Sequence, residues 1–243
     1  MAKKTTRKSK ARVQRKGGRL RRLLATPWRW VRRGVLAVIA VAAVMVVLYA
    51  GVNPRVTPYL TAESWRLGGV EREWVPLEEI APVMARSVVA AEDANFCLHW
   101  GLDLDAIEAA MEDGSGRGGS TISQQVVKNV YLWHGRSYLR KALEALLTPA
   151  VEAVWTKRRI LEVYLNVVEF DEGVFGVEAA ARHYFGVPAS ELTARQAALL
   201  AAVLPNPKAR DAARPSASLS RRANSIADGA ATIARDGRAA CFE

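Results

Sequence analysis

Between Gly34 and Val52 the chain reads GVLAVIAVAAVMVVLYAGV, and no charged residue occurs from Gly34 to Pro54. Coiled as a helix, these 19 residues would reach roughly 28 Å, close to the hydrocarbon thickness of a bilayer. A buried core helix would be shorter and would carry a polar face. The run therefore predicts a membrane span over 34–54. The alternative is a secretory signal ending near Ala50, which would normally have a shorter apolar region and a clear small-residue cleavage site.

Charge gives the span a direction. Residues 1–33 hold 14 Lys and Arg and no acidic residue, whereas the other 21 basic and 24 acidic residues leave the rest of the chain at −3. Basic residues flanking a span stay on the cytoplasmic side, so residues 1–33 form a basic cytoplasmic tail and 55–243 an extracytoplasmic domain. The tail could serve nucleic acid electrostatically. Beside a span, attraction to anionic headgroups explains the same charges with fewer assumptions, and no nucleic-acid partner is expected.

Two cysteines, Cys97 and Cys241, are too few for a disulfide framework. They can pair in an oxidising compartment, which spacing alone does not decide; Cys97, without an adjacent base, is expected to pack as a small apolar residue. The scattered His99, His134 and His183 give no structural metal signature.

The remainder is patterned mainly as α-helix. Ile80–Glu92 aligns Val83, Met84, Ser87, Val88 and Ala91, and Tyr138–Trp155 aligns Leu139, Leu143, Leu146, Leu147 and Ala150, both near a period of 3.6. Thr156 can cap KRRILEVYLN, with Ile160, Leu161, Tyr164 and Leu165 as its apolar stripe, and Thr193 can cap ARQAALLAAVL ahead of Pro205. The best strand signal is SWRLGGVEREWV, from Ser64 to Val75. From about Ala209 the Ala, Arg and Ser content suggests an end loosely packed beyond a terminal helix.

Four stretches carry chemistry. In GRGGSTISQQVVKN, Thr121 and Gln124 have capping-box spacing, so a helix begins near Ile122 and presents Gln124, Gln125, Lys128 and Asn129. Gly116, Gly118 and Gly119 let the preceding backbone turn, the first-turn N–H groups favour an anion, and Arg117 and Lys128 add charge. A flexible loop before a well-capped helix fits the same letters. Glu92 and Asp93 close an apolar helix, where burial and the helix dipole raise a carboxylate's pKa toward that of a general base; a solvated acidic turn is the plainer reading. Arg140 and Glu144 share a helical face beside Lys141, as in an ordinary surface ion pair. KRRILEVYLN runs on into a loop punctuated by Gly173 and Gly176.

EDANF with HWG, GGSTISQQVVKN, RKALE, and KRRILEVYLN with GVFGVEAAARHYFG stand in an order and spacing that resemble the peptidoglycan glycosyltransferases, family 51, over roughly residues 60–208. The chain looks like a monofunctional member, without a transpeptidase domain. The resemblance implies a lysozyme-like helical glycosyltransferase domain, anchored in the cell inner membrane and facing the periplasm, that polymerises lipid II by inverting transfer. Glu92 then matches the family's base and Glu144 its second essential glutamate, acting through a divalent cation such as Mg or Mn or by orienting basic groups. Arg117, Lys128, Arg140 and Lys141 would hold the diphosphate, with Gly119, Ser120, Thr121, Gln124, Gln125 and Asn129 framing it. No organic cofactor is implied. Partners would be lipid II, the growing lipid-linked glycan, the membrane, and cell-wall synthesis or division proteins.

Ala94 and Asn95 fill positions where many bifunctional relatives carry arginine, so one donor-site charge is missing or supplied elsewhere. Trp100, Trp133 and Trp155 are candidates for an apolar lip against lipid. A lysozyme-type glycan-cleaving enzyme is the rival reading, disfavoured because hydrolysis by two carboxylates needs no diphosphate cradle. A non-catalytic membrane-anchored scaffold is the other.

Overall fold

The computed structural model describes residues 6–104, 108, 119–135 and 137–243, with side chains from Trp28 onward. Arg117, Gly116 and Gly118 of the anion-loop prediction lie outside the described residues. The chain divides into two compact units, residues 1–48 and 49–243.

The first unit is one helix, α1 (Thr6–Tyr49). Its segment Trp28–Tyr49 is long and apolar enough to cross a membrane, with mean hydropathy 2.3. Val38, Val41 and Val44 leave 62–70% of their surface uncovered by protein, the exposure a lipid-facing helix requires. The helix ends at Tyr49, so Ala50–Pro54 of the predicted span lie beyond it.

The second unit is mainly α-helical. Among the described residues its helices include α2 (Pro58–Leu67), α3 (Pro82–Glu92), α4 (Ile122–Tyr131), α5 (Tyr138–Val154), α6 (Lys157–Val167), α7 (Val177–Phe185), α8 (Ala194–Val203) and α9 (Ala217–Asp236). Side-chain oxygens start most of them: Thr57, Thr121, Ser137, Thr156, Thr193 and Ser216 each accept a first-turn N–H, which satisfies a donor the helix leaves unpaired. The Thr121–Gln124 capping box is present, and Thr193–Gln196 forms a second.

The strand prediction needs correction. Trp65–Leu67 form the last turn of α2, which Gly68 ends in the left-handed region at φ 78°. Only β1 (Glu71–Arg72) pairs, parallel to β3 (Val174–Phe175), which is antiparallel to β2 (Glu169–Asp171). Thr57 as cap and Pro58 at the first helical position start a helix that takes in the first residues of this segment.

The core gathers α3, α4, α6 and α8, with Met84, Val88, Ile122, Val126, Ile160, Leu161, Tyr164 and Leu200 fully buried. The helix over 138–154 forms as expected, but its buried face is not the apolar stripe. Leu139 and Leu146 are exposed, while Glu144, Thr148, Val151 and Glu152 face inward. The period holds, and paired carboxylates rather than the leucines occupy the buried side of α5.

The carboxyl end is also corrected. Rather than packing loosely, the end beyond α9 buries Phe242, and α9 itself buries Leu219, Ala223, Ile226, Ala230 and Ile233 against α3 and α8. Cys97 is not a free apolar side chain but is bonded to Cys241, with Cα atoms 5.7 Å apart. Trp155 is core at 4% exposure, whereas Trp100 and Trp133 are exposed at 67% and 43%.

Candidate active site

Glu92 is the last residue of α3, and the α4 capping box sets the helix facing it. Gln125, in the first half of α4, donates from Nε2 to Glu92 Oε2 at 2.9 Å, while its Oε1 accepts from Tyr164 at 3.2 Å. Tyr164 is itself fully buried. The amide is thus fixed from behind, and its orientation follows from the two bonds. Burial pushes the Glu92 carboxyl above the ordinary carboxylate range, against the Gln125 hydrogen bond and the positive charges of Arg222 and Lys128.

Gln125 and Glu92 stand between two cavities. One, of about 270 Å³, is lined by Gln125, Lys128, Asn129, Tyr59, His134 and Lys208 among others. The other, of about 350 Å³, is lined by Glu92, Asp93, Asp103, Gly119, Ser120 and Thr121 among others. Lys128 lies one turn beyond Gln125, and burial depresses its ammonium pKa below the ordinary lysine value. Among the described residues it has no hydrogen-bond or ion-pair partner.

Across from it, α5 carries Glu144, 2% exposed, whose Oε2 accepts from Arg140 Nη1 at 2.6 Å and whose Oε1 accepts from Lys141 Nζ at 2.5 Å. Lys141 Nζ also donates to Ser120 Oγ at 3.0 Å, which ties α5 to the loop before α4. Both oxygens of Glu144 are therefore taken by cations, and the geometry suits a holder of basic groups better than a metal ligand. Thr121 and Gln124 use their side chains in the cap, and Thr121 Oγ1 also donates to the Gly101 carbonyl at 2.7 Å. Asn129 turns to His134, Oδ1 to Nε2 at 2.9 Å.

Several residues at the site carried no sequence signal of their own. His134 stacks on Tyr59 with ring centroids 3.4 Å apart, and Tyr59 donates to Glu169, which also lies 3.6 Å from Lys208. These partners lie far apart in sequence, so no local pattern could have joined them. Asp93, part of the EDANF stretch, accepts the Ile122 N–H at 2.9 Å through Oδ2 and pairs with His99 Nε2 at 2.8 Å through Oδ1. Because His99 Nδ1 accepts the Gly101 N–H at 3.2 Å, its ring proton sits on Nε2 and points at Asp93. Asp93, His99 and Asp103 place one ligand atom each within 4.8 Å of one another, a cluster compatible with a divalent cation.

The transglycosylase family profile matches residues 61–231, the stretch that contains all of these side chains except Tyr59. The chain belongs to the transglycosylase family. It is 62% identical over 240 residues to a biosynthetic peptidoglycan transglycosylase of Jannaschia sp. (strain CCS1), covering 98% of both chains. It is similar to proteins of the same description from Yersinia pseudotuberculosis serotype O:3 (strain YPIII), 48% identical over 77% of this chain and 83% of that one, and from Caulobacter vibrioides, 44% identical over 85% and 92%. Within this transglycosylase the helical domain has the lysozyme-like class expected of the family, joined to one apolar N-terminal helix suited to membrane anchoring.

Proposed function

We propose that this peptidoglycan glycosyltransferase extends glycan strands from lipid II with Glu92 as general base and Lys128, Arg140 and Lys141 as the diphosphate cradle. The observation that carries the reading is the Glu92–Gln125 hydrogen bond, which fixes a carboxylate of raised pKa between two cavities, one of them containing an unpaired, half-buried lysine.

Glu92 takes the proton from the 4-hydroxyl of the incoming GlcNAc as that oxygen attacks the anomeric carbon of the lipid-linked MurNAc. The bond from that carbon to the diphosphate breaks on the opposite face, giving a β-1,4 linkage and undecaprenyl diphosphate. Lys128, Arg140 and Lys141 offset the negative charge of the leaving group. Glu144 acts as a positioning residue that aims Arg140 and Lys141, and Ser120 holds Lys141 from the other side. Asp93, His99 and Asp103 could hold a Mg- or Mn-class cation, which would add positive charge beside the second cavity.

In this reading the basic N-terminus stays in the cytoplasm, the domain works in the periplasm at the inner membrane, and Trp100 and Trp133 meet lipid at its edge. The deciding experiment incubates the protein with lipid II, with and without moenomycin. Lengthening strands and inhibitor-sensitive release of undecaprenyl diphosphate support the reading; shortening of preformed glycan contradicts it.

A further inference from the structure

The profile match ends at residue 231, yet the chain beyond it returns to the loop that follows Glu92. Cys241 is bonded to Cys97, Arg238 Nη1 donates to the Ala94 carbonyl at 3.2 Å, and the buried Phe242 ring lies 6.4 Å from the buried Phe96 ring. Glu243 pairs with Arg86 of α3 at 2.5 Å, and Arg158 of α6 donates to the Phe242 carbonyl at 3.0 Å. The helix that delivers this tail lies tightly on α3: a Cβ on Gly229 would come 3.1 Å from Ala90 Cβ, two residues before Glu92.

The loop so held has a second duty. Its first residue, Asp93, caps the start of α4, the helix that carries Gln125. Glu92 is therefore placed from two sides, by α4 through Gln125 and Asp93 and by the tail through residues 94–97. The cationic groups Lys128, Arg140 and Lys141 sit on α4 and α5 and make none of the tail contacts.

We propose that Arg238–Glu243 is a clamp, fastened by the Cys97–Cys241 disulfide, that positions Glu92 for proton transfer, so that activity depends on the oxidised state of this pair. The proposal rests on the reading of Glu92 as base. Reduction adds two electrons and two protons across the S–S bond to give two thiols, the electrons coming from a phosphine that water converts to its oxide. Untethered, residues 94–97 no longer hold Glu92 where Gln125 meets it.

The test uses the full-length protein in detergent micelles, untreated, reduced with tris(2-carboxyethyl)phosphine, and reoxidised, beside the double variant Cys97→Ser, Cys241→Ser. Steady-state turnover of lipid II gives kcat and KM, and circular dichroism the helicity. The expected result is a kcat lower by roughly tenfold on reduction, as small misplacements of catalytic groups produce. KM should change little, and reoxidation should restore wild type but not the double variant.

An unchanged kcat in reduced, folded protein would overturn the clamp and leave the bond a stability staple. So would loss of helicity on reduction of wild type, because the bond would then serve folding and not the placing of one carboxylate. Glu92→Gln in the oxidised protein tests the base reading separately: if that variant turns over normally, the base assignment fails whatever reduction does.

Discussion

Gln125 Nε2 lies 2.9 Å from Glu92 Oε2, and the same amide is held from behind by Tyr164 at 3.2 Å. The carboxylate proposed as the base is thus aimed by a neutral donor. An ion pair would hold its pKa low, whereas this amide lowers it less than burial raises it.

The first prediction concerns pH. A base works only when ionised, so kcat falls as pH drops through the Glu92 pKa, and burial places that acidic limb above the ordinary carboxylate range. In Gln125→Met the hydrogen bond that favours the ionised form is gone, and the limb moves to still higher pH. The lost charged hydrogen bond also lowers kcat by roughly 10- to 100-fold, corresponding to about 1.5–3 kcal/mol. A pH–rate profile of both proteins checks this.

Lys128→Met removes the unpaired cation of the first cavity while preserving helix propensity. Loss of one preorganised charge at a leaving group predicts a fall in kcat of about 10²- to 10³-fold. In the native protein the depressed ammonium pKa places the alkaline limb below the usual lysine range, since binding of an anion is lost as pH rises and the lysine deprotonates. Lys128→Arg should retain charge and push that limb upward, measured by initial rates across alkaline pH.

Glu144→Gln keeps the shape but removes the charge that pairs with Arg140 and Lys141, leaving them only the Gly135 carbonyl and Ser120. Breaking a buried pair on one side commonly costs about 3–5 kcal/mol, and the lower figure is apt here because Lys141 remains half-exposed. The melting temperature should fall and turnover should drop severely, by calorimetry and polymerisation assay. A variant with native turnover would remove Glu144 from the account.

Gly101 is the structural counterpart. Its φ is +81°, and an added Cβ would stand 2.5 Å from Thr148 Cγ2 and 2.9 Å from Glu152 Cγ. Gly101→Ala should destabilise the fold by more than the roughly 1–2 kcal/mol of the left-handed conformation alone. Thr148→Ser, which lacks Cγ2, should recover part of the loss. Chemical denaturation of the two single variants and the double variant tests the coupling.

Helices were legible because their starts and periods are local: Thr121, Thr156 and Thr193 announce their own caps, and Ile160, Leu161, Tyr164 and Leu165 their own face. What faces a helix is not local. Leu139 and Leu146 formed as good an apolar stripe as any, but Glu144 and Glu152 turned inward because Arg140, Lys141 and Lys157 came with them. The packing of α9 was not legible because its stripe of Leu219, Ala223, Ile226, Ala230 and Ile233 is thin among Ser, Arg and Asp, and its approach to α3 depends on the space at Gly229. At the site, motif order brought Glu92, Lys128 and Glu144 forward, whereas Tyr59, His134, Glu169 and the Cys97–Cys241 bond come from contacts between distant segments.

The most direct measurement is polymerisation of lipid II by the full-length protein carrying Glu92→Gln, a change that keeps the side chain's size and a hydrogen-bonding partner for Gln125. Strand formation and undecaprenyl diphosphate release should be abolished while circular dichroism and binding of moenomycin stay as in the unaltered protein. Native-length strands formed at the native rate would contradict the assignment of Glu92 as the base.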